Sequence, residues 1–359
     1  VLRDVLADRD RPDLDRLARI DDPEAFVWAV LPHAARTFSA CIALLPADCA
    51  LPAAVAYLYC RMLDTYEDLV PDRAAREAAL LAFAGRLDTA GPGGLPPQAP
   101  AISVSADRDD RDRAHLLLVE RHALVDRVFA SFDADVRSIV RDLVRDMATG
   151  MVWSSATFDA QGGALEGEGQ VTAYCRHVLG NPVVFTVRLL RLHHGAPPDL
   201  NPDELEHAMR VGEMVQLANV TRDVEKDLRR GVAYDASLRA DLRREPDGDP
   251  AVAERCRAAR ERMLRTALLR APSYARMLES MRLPRVSVAR ASAVLMLLFT
   301  ERYFRGCARR VGRTAWDGPS SSPALWLRTF PATFSASRAS REIARVEHAF
   351  LAAAAECRA

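Results

Sequence analysis

From Leu51 the chain reads LPAAVAYLYCRMLDTYEDL, apolar at nearly every position until it closes on Asp64, Glu67 and Asp68. A helix that is apolar all round is a buried helix, and this run falls short of the ~20 apolar residues a membrane span needs. On a helix, positions i, i+3 and i+4 share a face. Three carboxylates therefore point one way from a buried element. Like charges at that spacing cost about 0.2–0.5 kcal/mol per pair even in water, and more where water is excluded. The fold must bring positive charge to that face.

The rest of the chain has the same helical period. Apolar residues recur at helical spacing in "REAALLAFAGRL", "RSIVRDLVRDMATGM" and "ELEHAMRVGEMVQLANVTRDVEKDL", and alternating β-branched strands are missing. Gly- and Pro-rich loops fall at 88–101, 159–169, 193–204 and 243–250. Asn201 followed by Pro202 marks a helix start. With 359 residues, 49% of them hydrophobic, the chain predicts one all-α domain over 1–359 with ten or more helices. The tail, 314–359, is expected on the outside of that domain or partly mobile.

Bulk charge narrows the partners. Lys+Arg and Asp+Glu balance at 49 each, which argues against a nucleic acid or other polyanion. Seven scattered cysteines without a CxxC pair argue for a reduced, cytoplasmic protein and against zinc. "SAVLMLLFTERYF" is too short to span a bilayer, so no stable membrane anchor is expected. His193-His194 reads as a helix terminus, and the eight histidines form no ligand set. Lys226 is the only lysine, a poor basis for lysine covalent chemistry.

The acidic device occurs twice. In "QLANVTRDVEKDLRRG" (216–231), Asn219, Asp223 and Asp227 follow one another at i, i+4 steps on a helix that is apolar just upstream. Two acidic faces on two buried helices suggest opposite walls of one cavity. Oxygen ligands without His or Cys point to Mg²⁺, which takes one or two carboxylates plus phosphate oxygens and water. Arg36, Arg61 and Arg222 lie near such a site or within reach of it, and guanidinium forks suit phosphate. A ligand with a diphosphate head and an apolar tail fits this chemistry.

At these residues the chain resembles the squalene/phytoene synthase family of prenyl transferases. "AYLYCRMLDTYEDL" resembles its first aspartate-rich motif and "QLANVTRDVEKDLRRG" its second. "RTFSACIALLP" (36–46) is similar to an early diphosphate-holding segment, "RDMATGM" (145–151) to a Met-Gly-rich stretch, and "VTAYCRHVLG" (171–180) to a tyrosine-bearing helix. "LPRVSVARASAVLMLLFTERYFRG" (283–306) looks more like the squalene synthase branch. The likeness covers about 30–310. It implies an isoprenoid synthase fold, helices around a central cavity with the two motifs facing each other. It also implies metal ligation by Asp64, Glu67, Asp68, Asn219, Asp223 and Asp227, and diphosphate binding by Arg36, Thr37, Arg61, Arg222, Tyr57, Gln216 and Asn219. Tyr174 matches the tyrosine the family places near the carbocation or the departing diphosphate. The tail or acceptor pocket is assigned to Val183, Phe185, Met147, Met151 and His177, with core packing the alternative for the last three.

Three departures bear on the substrates. Ala35 stands where relatives carry serine. "GNPVVFTVRLL" places Val183 and Phe185 where relatives have small residues, with Pro182 bending the segment. After the second motif, "RRGVAYDASL" replaces an aromatic-Leu-Pro ending. The resemblance implies head-to-head joining of two prenyl diphosphates such as farnesyl diphosphate, with NADPH needed only for a squalene-type reduction. The bulkier pocket keeps open an alternative, transfer of a shorter prenyl group to a small aromatic acceptor such as a carbazole.

Overall fold

The computed structural model describes residues 12–35, 37–89, 94–102, 109–313, 316–318 and 321–357. It is all helical: among the described residues the only extended pairing is a parallel bridge between Ala164 and Ala233. The chain divides into two compact units, residues 1–152 and 153–359, and the division falls within the helix Ala134–Ala160.

In the first unit the helix Ala47–Leu69 is the core element. It packs against Pro23–Ala35, Arg73–Thr89, Asp110–Glu120 and His122–Ala130, burying Leu58, Tyr59, Met62, Leu63 and Tyr66 completely. The Tyr59 hydroxyl donates to Asp126 Oδ1 at 2.8 Å, and Arg86 holds Asp126 Oδ2 at 2.8 Å. That carboxylate is paired on both oxygens, as a buried charge requires. The Tyr66 hydroxyl reaches the Pro100 carbonyl at 2.6 Å, pinning the Gly/Pro-rich return. The buried stripe Val140, Val144, Met147 and Met151 on Ala134–Ala160 follows the helical period.

The second unit is built on Pro202–Arg229, which opens with a complete capping box between Asn201 and Glu204. Against it pack Asn181–His193, Pro250–Leu268, Ser273–Ser280, Val288–Arg310 and a π-helical turn, Arg176–Gly180. At the crossing with that turn the backbones nearly touch. A Cβ on Gly212 would lie 2.4 Å from the Gly180 Cα, so only glycine permits the approach. Glu213, one residue on, is buried between Arg176 (2.6 Å) and Arg270 (2.8 Å).

The expected outer tail is part of this core. Ser322–Phe334 and Ala336–Glu356 pack on Val288–Arg310 and on each other. Ile343, Val346 and Phe350 are buried, the Phe350 ring lies 5.5 Å from Phe304, and Arg345 pairs with fully buried Glu301 at 2.7 Å. The apolar stripe at 339, 343, 346, 350 and 354 explains it.

Candidate active site

In the first unit, the acidic end of Ala47–Leu69 is held by its own arginine. Arg61 Nη1 contacts Asp64 Oδ2 at 3.0 Å, and its Nη2 donates to the Tyr57 hydroxyl at 3.2 Å. The guanidinium carbon lies 5.9 Å from the Tyr57 ring centre, and Phe38 packs on that ring at 6.0 Å. Arg61 Nε is buried with no hydrogen-bond partner among the described residues. Such an orphaned donor is costly unless a ligand meets it. Burial pushes the Asp64 carboxyl up to about 6, the Asp68 charge adds to the rise, and Arg61 and Arg111 offset part of it. Glu67 is half-buried and Asp68 exposed. Thr37 is half-buried at the start of its helix, and Ala35 is buried. Arg36 lies outside the described residues.

In the second unit the pattern repeats with a different pairing. Arg222 forms a two-pronged contact with Asp223, Nε to Oδ1 at 2.8 Å and Nη2 to Oδ2 at 2.6 Å. Burial raises the Asp223 carboxyl, but the Arg222 fork outweighs it and holds the group below the usual carboxylate range. Asp227 has no such fork, and burial together with the Asp223 charge pushes it up to about 7. The Asn219 amide donates to Gln216 Oε1 at 3.2 Å. The Arg222 guanidinium sits 5.2 Å from the Tyr303 ring centre.

Tyr174 joins an aromatic cluster. Its ring centre is 4.9 Å from Tyr234 and 6.3 Å from Phe158, and the Tyr234 hydroxyl donates to the Tyr174 hydroxyl at 3.0 Å. Both tyrosines pack against a buried cluster that includes Val220, Val224 and Leu228 of the second-motif helix. The segment after that motif delivers Tyr234. Gly231 turns the chain, and Ala233 then bonds Gly163 and Leu165 through the parallel bridge. Gly163 has φ 92, and a Cβ there would lie 2.4 Å from the Gly231 carbonyl oxygen. "RRGVAYDASL" thus has a structural role that its sequence did not disclose.

The pocket candidates separate. Met147 and Met151 are buried, and His177 is half-buried with its ring 5.7 Å from Trp153. Phe185 is buried and Val183 half-buried on Asn181–His193. Two residues apart, these side chains leave opposite sides of the helix. Pro182 sits at the start of that helix, directly after the π turn, so the ladder shifts where proline cannot donate. Residues not anticipated from sequence are Tyr234, Phe158 and Tyr303, and the pair Arg111 and His115, which bear electrostatically on Asp64 and Arg61.

Among the described residues no three His, Cys, Asp or Glu side chains form a ready metal cage. The donor chemistry nevertheless suits Mg²⁺, which is held by one or two carboxylates with phosphate and water completing the shell. Asp64 with Asp68, and Asp223 with Asp227, are crowded oxygen pairs whose repulsion a hard cation would relieve.

The family model for squalene/phytoene synthase matches residues 31–315. Phytoene synthase of Rhodobacter capsulatus is 28% identical over 195 residues, 54% of this chain and 46% of that protein. Phytoene synthase of Cereibacter sphaeroides is 28% identical over 245 residues, 64% and 58%. The chain thus spans about half the length of the curated relatives it matches. Two structures of TcSQS with bound ligands superpose with TM-scores of 0.66 and 0.68 at 17% and 18% identity, covering 92% and 93% of this chain and 92% of each of theirs. A dehydrosqualene synthase with a ligand gives 0.53 at 17%, covering 95% of this chain and all of that one (100%). These likenesses establish the all-α terpenoid synthase fold. On the family match, which runs through both acidic motifs, the chain belongs to the squalene/phytoene synthase family.

Proposed function

We propose that the protein is a Mg²⁺-dependent prenyltransferase that joins two prenyl diphosphates, such as farnesyl diphosphate, head to head, and that residues 1–359 work as a single catalytic domain. The observation that carries this reading is the repeated device: a crowded carboxylate pair at i, i+4 with an arginine beside it, on the core helix of each unit.

In this reading Asp64, Glu67, Asp68, Asn219, Asp223 and Asp227 hold the metal. Bound Mg²⁺ supplies charge stabilisation for the leaving diphosphate. Arg61 offers its unmatched Nε to a phosphate oxygen, with Tyr57 and Thr37 steadying the same end. Arg222 and Arg36 take further oxygens, and Gln216 orients Asn219. The allylic C1–O bond breaks, and its electron pair leaves with the diphosphate. The double bond of the second prenyl diphosphate supplies the pair for the new C–C bond, and the adduct loses a proton. The Tyr174 ring faces the cation, an attraction of about 0.5–2 kcal/mol. Apolar walls keep water from quenching it.

A second reading, prenyl transfer to a small aromatic acceptor such as a carbazole, is favoured by the Phe158–Tyr174–Tyr234 cluster, which offers ring faces for stacking. Product analysis decides between the two. Protein and Mg²⁺ are given dimethylallyl, geranyl, farnesyl or geranylgeranyl diphosphate singly, with and without NADPH, while pyrophosphate release is followed. A dimeric hydrocarbon, alcohol or cyclopropyl diphosphate supports head-to-head joining. Turnover that requires an added aromatic acceptor supports the second reading. No Mg²⁺-dependent pyrophosphate release with any of them sinks both.

A further inference from the structure

The helix Ser322–Phe334 turns Leu325, Thr329 and Ala332 inward and leaves Leu327, Phe330 and Phe334 exposed by 76%, 65% and 55%. Three and four residues apart, they lie along one face. The Phe330 and Phe334 rings pack edge to face with centres 5.3 Å apart. The apolar surface continues on a second segment. Ser287 N–H donates to the Thr333 carbonyl at 2.9 Å, which sets Val286 and Val288, 57% and 41% exposed, beside the end of the helix. Scattered exposed apolar residues are ordinary; a contiguous set with two phenylalanines marks a contact surface.

The unpaired charge around this face is positive, since Glu342 is taken up by Arg328 at 2.6 Å and Arg345 at 3.0 Å. The sequence has no Asp or Glu from 280 to 300 or from 318 to 341. Arg285 adjoins Val286, Arg338 follows Phe334 by four residues, and Arg341 lies one turn further. All three are exposed, and none forms an ion pair among the described residues. A second copy meeting this face through itself would set these arginines against their own equivalents, a repulsive arrangement. No helix among the described residues is long and apolar enough to cross a membrane, so a lipid contact here would be in the plane of the interface.

We propose that this face docks on an anionic lipid surface. Phe330, Phe334 and Leu327 enter the boundary between headgroups and acyl chains, and Arg285, Arg338 and Arg341 meet the lipid phosphates. The contact is shallow and reversible. It goes beyond the prenyltransferase reading and does not depend on it, because it is measured without substrate.

The test is flotation of the full chain with vesicles of phosphatidylcholine alone and of phosphatidylcholine mixed with phosphatidylglycerol. The expected result is partition onto the anionic vesicles that weakens with added salt. Phe330→Ser with Phe334→Ser lowers it at least tenfold, and Arg285→Ala and Arg338→Ala lower it about fivefold each. All of these side chains are exposed, so circular dichroism and thermal unfolding of the variants stay near those of the parent. Failure to float with anionic vesicles overturns the proposal, as does equal binding to both vesicle types or binding indifferent to the phenylalanine changes. A dimer in sedimentation that the double phenylalanine variant dissociates also overturns it and assigns the face to a second copy.

Discussion

Tyr234 donates its hydroxyl hydrogen to Tyr174 across 3.0 Å, although the two residues come from segments on either side of the second-motif helix. The bond fixes where the Tyr174 hydroxyl points. Tyr234→Phe is therefore predicted to lower kcat about tenfold with little change in KM, and to broaden the product mixture. Tyr174→Phe is expected to have the larger effect on turnover. Steady-state kinetics with product analysis checks both, and a pure KM effect for Tyr234→Phe would move it out of the chemistry.

Asp64→Asn and Asp227→Asn are each predicted to cut pyrophosphate release by about 100-fold or more. Each also removes a crowded charge from a half-buried place. Melting of the metal-free variants is expected at or slightly above that of the parent, by roughly 1–3 °C. Near-normal turnover in either variant would contradict the proposed metal roles.

His115 gives the pH test. Burial lowers its imidazole to about 3, with Arg61 and Arg111 lowering it further and Asp109 opposing. The unfolded chain takes up that proton near pH 6.5 and the folded chain does not. Stability from this residue is complete above pH 6.5 and lost as the pH falls toward 3. Urea unfolding of His115→Gln is expected to show a flatter pH dependence across that window, and an unchanged slope would rule the histidine out.

Gly212→Ala is predicted to cost about 1–3 kcal/mol, since the added carbon meets Gly180 backbone that has no room to yield. Gly85, in the Arg73–Thr89 helix with open space around it, is the control: Gly85→Ala should stabilise by about 0.5–1 kcal/mol. Chemical denaturation of the two variants distinguishes crowding from a general glycine effect.

Phe185→Ala is expected to cost about 3–5 kcal/mol in folding stability and, if its ring bounds the tail channel, to shift substrate preference toward longer prenyl diphosphates. Competition between geranyl and geranylgeranyl diphosphate reads the shift. An unchanged preference would make Phe185 a core residue only.

Much of this architecture was legible from local pattern. The apolar run ending in Asp64 and Asp68, the Asn201–Pro202 helix start and the Asp223–Asp227 pair beside Arg222 each follow from spacing within a single helix. What escaped were contacts set by distant segments. Tyr234 meets Tyr174 where the bridge between Ala164 and Ala233, distant in sequence, holds its segment. The breakers "WDGPSSSP" point to an outer or partly mobile tail, but the even apolar stripe of Ala336–Glu356 outweighs them and carries that helix into the core.

The π turn at Arg176–Gly180 has one more consequence. It inserts an extra residue into an otherwise continuous helical course, so every side chain beyond it is rotated by roughly 100° from where even counting from Tyr174 would aim it. Losing one codon there would re-aim the whole of Asn181–His193 and bring a neighbour to the buried place that Phe185 fills. Indexing a helix by one click is thus a shorter path to a new inward face than resizing side chains one at a time.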